Sequence, residues 1–402
     1  IHPTMKKTFK FLLAGLVALA FSCTEKEDII PEIPVEDFPA NFYDTASLTT
    51  ILRKITDTIP SWEVLKRFTD EAERLPLPSF EKRALFWADP DGKENPFNDP
   101  QFDYMTNLMR HHAELVENFG ANESSALFTS VPPFDGPNGG EIVVPYPLDI
   151  LDAKLRATTV LFLREKELGL PTILVNFYPP FIDMPVFKTK AEFETWFADR
   201  YLPEKEAEAK AAELMKAEKY IPWPIEFELF ITQVGGIYDD GFLAGATEDE
   251  ILIFANEVKD RILSTVKTHY RGIVVAHLYT NYQMTERKFW NRMSYTGFDE
   301  LEFAIFPPFD AETTNTYMDV QLENYQKIIE NSGNLPWVAS EVSVFEWYVE
   351  DGKFEEYEKA MYEATFNKLE NASNPPRGIS AAAGYMKTEA AKQYLKEYFS
   401  RH

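Results

Sequence analysis

From residue 83 onward, short apolar runs alternate with longer segments of helical period. The runs are 83–87 (RALFW), 125–131 (SALFTSV), 172–177 (TILVNF), 225–231 (IEFELFI), 273–277 (IVVAH), 301–306 (LEFAIF), 337–344 (WVASEVSV) and 378–383 (GISAAA). Each has the length of a strand, and together they are eight. Between them, 153–169, 190–220, 247–270 and 353–371 are rich in Glu, Lys and Ala, with apolar residues at helical spacing. Thr247 followed by Glu250 has the spacing of a capping box and predicts a helix start. Strands alternating with helices imply parallel pairing through crossovers, and eight of them can close on themselves and remove both edges. The pattern therefore predicts an α/β chain folded as a (β/α)₈ TIM barrel over 81–402. An open doubly wound sheet is the alternative, and no Gly-rich nucleotide loop follows any run to support it. Residues 45–80, with SLTTILRKI and SWEVLKRF, predict extra helices packed on the barrel.

The first 44 residues carry a different pattern. Met5 opens a segment with Lys6, Lys7 and Lys10 ahead of an apolar run from Phe11 to Phe21, too short to span a bilayer and stop. Residues 1–22 thus predict a signal peptide, with 1–4 lying upstream of the true start. Ala20 and Ser22 precede Cys23 as in a bacterial lipobox, so Cys23 is the expected lipidation site. Residues 23–44 are polar and punctuated by proline, a tether. Acidic residues directly after Cys23 resemble the surface-export signal of Bacteroidetes lipoproteins. The expected location is the cell surface, on the outer membrane through a lipid anchor.

Charge narrows the partners. The 402 residues hold 65 Asp+Glu against 40 Lys+Arg, a formal charge of −25, and removal of 1–22 takes it to −28. Nucleic-acid binding through a basic face is excluded. Cys23 is the single cysteine, so neither an intrachain disulfide nor a cysteine-based zinc site can form. His111 and His112 are adjacent, on different helix faces, and no HExxH occurs. No metal site and no organic cofactor are expected.

In a (β/α)₈ barrel the chemistry sits where strands end. Those positions here are rich in aromatics and polar groups: Trp87, Asn176, Tyr178, His277, Tyr279, Asn281 and Tyr385. Sugar rings lay flat C–H faces on aromatic rings, and their hydroxyls need amide, imidazole and carboxylate partners. These residues are the expected subsites for a polysaccharide or oligosaccharide. Glycoside hydrolysis needs two carboxyl groups flanking the scissile bond, about 5 to 5.5 Å apart in retaining enzymes. Glu341 is the candidate nucleophile, because Trp337, Ala339 and Glu341 share a face under period two and would bring the carboxylate to the top of strand seven. Its partner is expected in the fourth run, where Glu228 is the candidate acid/base. Glu226 is a second choice, and a register running on to Gln233 would put an amide in the acid's place.

Several segments resemble glycoside hydrolases of clan A, most of all the endo-β-mannanase family 113. Residues 115–122 (LVENFGAN) are similar to the family's GAN text before its second strand, and 166–174 (KELGLPTIL) to its third strand. Phe289-Trp290 with Thr296-Gly297-Phe298 is similar to the segment leading into strand six, and Ser340-Glu341-Val342 to the nucleophile motif. The resemblance implies retaining cleavage of a β-linked glycan, with β-mannan as one candidate. The family's GTE or NE acid/base motif has no counterpart here; Phe227-Glu228-Leu229 and Thr232-Gln233-Val234 stand nearest. A glycan-binding lipoprotein with a degenerate barrel is therefore the alternative, and a subunit of an outer-membrane glycan uptake complex a third reading.

Overall fold

The computed structural model describes residues 60–84, 119–129, 133–135, 141–143, 148–177, 186–222, 227–237, 240–279, 290–307, 310–345, 349, 352–383 and 386–402. Its centre is a sheet of eight strands: β1 (Glu81–Ala84), β2 (Ser124–Thr129), β3 (Thr172–Phe177), β4 (Lys219–Ile221), β5 (Ile273–Tyr279), β6 (Glu300–Ala304), β7 (Trp337–Val342) and β8 (Gly378–Ala381). Every pairing in it is parallel, and from β2 to β8 each strand lies beside its successor in the chain. β1 returns to pair with β8. The remaining seam, between β1 and β2, is bridged by Asn122. Its backbone N–H donates to the Lys82 carbonyl at 3.0 Å, its Oδ1 accepts from the Lys82 N–H at 2.8 Å, and its Nδ2 donates to the Phe80 carbonyl at 2.9 Å. One asparagine thus satisfies edge groups that a ladder would otherwise pair, and the (β/α)₈ barrel closes.

Around the strands run α1 (Trp62–Thr69), α2 (Leu148–Glu167), α3 (Lys190–Trp196), α4 (Leu202–Leu214), α5 (Phe227–Gly235), α6 (Glu248–His269), α7 (Ala311–Asn331), α8 (Phe354–Glu370) and α9 (Glu389–Arg401). A π-helical segment, Phe197–Tyr201, joins α3 to α4. Thr247 caps α6 as its spacing predicts: its Oγ1 accepts from the Glu250 N–H at 3.3 Å, and the Glu250 carboxylate accepts from the Thr247 N–H at 2.8 Å. None of the described helices is long and apolar enough to cross a membrane. The segments read as signal peptide and tether lie outside the described residues.

The outward strand faces supply the apolar core. Phe303 of β6 stacks on Tyr325 of α7 with centroids 4.2 Å apart, and Trp337 of β7 lies 5.8 Å from the same ring. Burial of these faces against the helix ring supplies most of the driving force for folding, at roughly 25 cal/mol per Å² of apolar surface.

One expected element is corrected. The fourth strand is Lys219–Ile221, not 225–231, and the IEFELFI text belongs mainly to α5. Phe227, Phe230, Ile231 and Val234 are all buried, at the i, i+3, i+4, i+7 spacing of a helix face. Over five residues, 225–229 (IEFEL), the text alternates well enough to pass for a strand; the two prolines, Pro222 and Pro224, mark where the strand has already ended. Glu228 therefore sits in the first turn of a helix rather than at a strand end.

At the base of the barrel, where the strands begin, the extension predicted over 45–80 is held down after α1. The Glu218 carboxylate accepts from the N–H groups of Leu75 at 2.6 Å and Thr172 at 2.5 Å, and pairs with Lys166. Arg74 donates to the Ala217 carbonyl at 3.0 Å and to Glu213 at 2.5 Å. The extension is thereby pinned against the starts of β3 and β4.

Candidate active site

Register partners in a parallel ladder share a face, so the inward set can be followed strand by strand. It includes Glu81 and Arg83 of β1, Lys219 of β4, His277 of β5, Glu300 and Glu302 of β6, Val338 and Ser340 of β7, and Ser380 of β8. Interiors of this fold are usually filled by branched apolar residues. Here the lower layers are ionic. Arg83 pairs with Glu302 at 2.6 Å, and with Glu81 and Glu123 at 3.1 Å each. Lys219 pairs with Glu81 and, at 2.5 Å, with Glu300. Arg377, entering from the base, reaches Glu81 and, at 3.0 Å, Glu300.

Four carboxyl groups thus face three cations, and the burial splits their behaviour. Burial pushes Glu81 up, but Lys219, Arg83 and Arg377 outweigh it and hold the group down at about 2. Glu302 is likewise kept below the usual range, burial being overcome by Arg83 and Lys219. Burial dominates at Glu123, which rises to about 8, and at Glu300, which rises to about 7, where Glu81 and Glu302 add like charge. The cluster thus has one carboxyl group more than it has cations, and burial favours the neutral form of Glu123 and Glu300.

Above this floor stands the candidate nucleophile. Glu341 lies at the C-terminal end of β7, 4 % exposed, with φ +48°. Left-handed backbone at a residue with a Cβ costs roughly 1 to 3 kcal/mol and persists only where the surroundings enforce it. The cause is visible in the ladder: Ala339 pairs with Ile379, but the next partner of β8, Ala381, meets Val342. β7 therefore spends one extra residue across that interval, a bulge. Simple alternation would have put Glu341 with Trp337 and Ala339, which face the helices, so the shared face expected from the sequence does not carry it inward. The bulge does: Ala339 and Val342 both match outward residues of β8, which leaves Ser340 and Glu341 together on the interior side.

Ser340 and His277 stand just below. Nε2 of His277 and Oγ of Ser340 are 3.1 Å apart, with 1 % and 3 % exposure. His277 in turn faces the charge of Glu302. The sequence marks His277 as a sugar contact; the structure places it beneath the rim, joined to β7.

Of the other expected residues, Asn176 is the last residue but one of β3, and Tyr279 ends β5. Glu228 and Gln233 lie on α5, Gln233 half-buried. Trp87, Tyr178, Glu226, Asn281 and Tyr385 lie outside the described residues. Among the described residues no cluster of His, Cys, Asp and Glu could hold a metal ion. A cleft of about 540 Å³ opens at the opposite, basal end, among Phe80, Pro376, Tyr398 and His402. It is remote from Glu341, and strand-end geometry, not cleft size, marks the chemistry in this fold. The ionic floor escaped the sequence reading, although Glu81/Arg83 and Glu300/Glu302, charged at period two in buried strands, were its signal.

The fold and this buried rim acid define a (β/α)₈ barrel with a candidate carboxylate centre. No family model matches the chain, and no curated protein does. Among solved structures it is similar to the GH113 β-mannanase AaManA from Alicyclobacillus acidocaldarius, with 14% identity over 82% of this chain and 98% of that one, TM-score 0.43. It is also similar to a hyperthermophilic β-glucosidase from Pyrococcus furiosus (11% identity, 82% and 96% covered, TM-score 0.49) and to a β-glucosidase from Thermotoga maritima (12%, 82% and 94%, TM-score 0.42). At such similarity the assignment of the barrel rests on its own strand order.

Proposed function

We propose that the protein is a retaining glycoside hydrolase acting on a β-linked polysaccharide or oligosaccharide, β-mannan being the first substrate to try. The observation that carries this reading is Glu341: a buried acid at the end of a barrel strand, held in a left-handed bulge that turns it to the interior. A surface charge would need neither burial nor strain.

Glu341 attacks the anomeric carbon and forms a glycosyl ester, while a second carboxyl group gives its proton to the departing oxygen. Water then takes up the anomeric carbon, its proton going to that same group, and Glu341 leaves as carboxylate. The second group is Glu228, at the start of α5, with Glu226 as its substitute. Trp87, Asn176, Tyr178, Tyr279, Asn281 and Tyr385 line the sugar subsites. Secretion through residues 1–22 and acylation of Cys23 place the enzyme on the outer membrane, facing polymer outside the cell.

One observation favours a second reading, a glycan-binding protein without turnover. β4 ends at Ile221 with no acid on it, and the sequence that follows gives α5. Reducing-sugar release from plant and yeast polysaccharides, by wild type and Glu341→Gln, separates the two. The hydrolase releases sugar and loses this with Glu341→Gln. Retardation in glycan-containing gels without release establishes the binder. Labelling with palmitate, lost in Cys23→Ala, tests the anchor.

A further inference from the structure

We infer that Ser340 and His277 are positioning residues for Glu341, linking it to the charged floor of the barrel. The inference rests on the reading of Glu341 as nucleophile. Adjacent strands are about 4.8 Å apart, so β5 and β7, separated by β6, stand about twice that distance from one another. A direct bond between their side chains needs a long arm, a short one, and nothing bulky between. The imidazole of His277 is the long arm and the Ser340 hydroxyl the short one, with Nε2 and Oγ 3.1 Å apart. The residue between, register partner of both Tyr279 and Ser340, is Ala304, whose methyl group leaves the path open.

The bond falls at the bulge. Ser340 and Glu341 are consecutive, and Glu341 adopts φ +48°. A backbone in that conformation relaxes unless its neighbours are fixed. Ser340 is fixed through its side chain to His277, which in turn faces Glu302, itself held by Arg83 at 2.6 Å. The chain Arg83, Glu302, His277, Ser340 thus runs from the floor to the residue preceding the candidate nucleophile, and all four are buried. An attacking carboxylate displaced by a fraction of an ångström loses rate without losing substrate affinity.

The test uses the full chain and four variants: Ser340→Ala, Ser340→Thr, His277→Phe and Glu341→Gln. Ser340→Ala and His277→Phe are each expected to lower kcat about tenfold, the worth of one buried hydrogen bond, with KM changed less than about twofold. Ser340→Thr, which keeps the hydroxyl, is expected to recover most of the loss. Turnover by Ser340→Ala and His277→Phe at the wild-type kcat overturns the inference while leaving the hydrolase standing. Absence of turnover in the wild type overturns the hydrolase instead, and positioning is then read directly. With glutamate labelled at its carboxyl carbon, the Glu341 signal is the one missing in Glu341→Gln. Its titration midpoint moves in Ser340→Ala if the hydroxyl orients this group; an unmoved midpoint rejects the linkage.

Discussion

Arg83 and Glu302 face each other across the barrel interior at 2.6 Å, on strands 219 residues apart in the chain, and neither touches solvent to any useful extent. Removing the guanidinium leaves Glu302, Glu123 and Glu81 without their shared partner. Arg83→Met is expected to destabilise the fold by about 3 to 5 kcal/mol, the usual cost of stranding buried charge. Urea denaturation followed by circular dichroism measures it, and a loss near that of a surface substitution would count against the cluster as drawn.

The acids of the floor pull stability in opposite directions with pH. Glu123 and Glu300, raised to about 8 and about 7, bind protons more tightly folded than unfolded. Their contribution is complete below the unfolded value of about 4.5 and fades as pH climbs through 7 and 8. Glu208, raised by burial to about 7 beside Lys205 and Tyr220, acts in the same sense. Glu81, held at about 2, works the other way and loses its contribution as pH falls from about 4.5. The melting temperature is therefore expected to peak near about pH 5 and to decline towards pH 8. Glu300→Gln should flatten the decline up to pH 7. A melting temperature that rises between pH 5 and 8 contradicts the assignment.

Glu341 carries strain that glycine would not. Glu341→Gly is expected to raise the unfolding free energy by about 1 kcal/mol while abolishing sugar release. Chemical denaturation beside a reducing-sugar assay reads both. Loss of stability together with activity would mean that the carboxylate supports the fold rather than strains it.

Gly378 makes a geometric prediction. A Cβ there would lie 2.7 Å from the Glu81 carbonyl oxygen and closer still to the Glu81 Cβ. Gly378→Ala must push β1 away from β8, and destabilisation of about 3 kcal/mol is expected. Melting at the wild-type temperature would show that the strands can part freely.

Much of the barrel is legible from periodicity, because seven of the eight runs each contribute to a strand of the sheet, and segments of helical period at 153–169, 190–220, 247–270 and 353–371 fall between several of them. The fourth was misplaced because β4 has only three residues, Lys219–Ile221, one of them charged, while α5 behind it is more apolar than the strand. Glu341 was legible as a lone acid at the end of WVAS, yet its direction was not. The bulge that turns it depends on how β7 meets β8, a relation between segments that lie 37 residues apart at Glu341 and Gly378. The ionic interior was hidden for a similar reason: its charges sit singly in different strands, and only closure of the cylinder brings them together.

That interior also shapes how the chain can change. In an oily barrel a methyl can be gained or lost and the neighbours settle around it. Here each group answers for several others, so drift at any one of Glu81, Arg83, Lys219 or Glu302 orphans a charge elsewhere. Substitution in this layer must come in compensating sets, and descendants of this sequence should keep the floor whole or replace it wholesale while the rim diversifies above it.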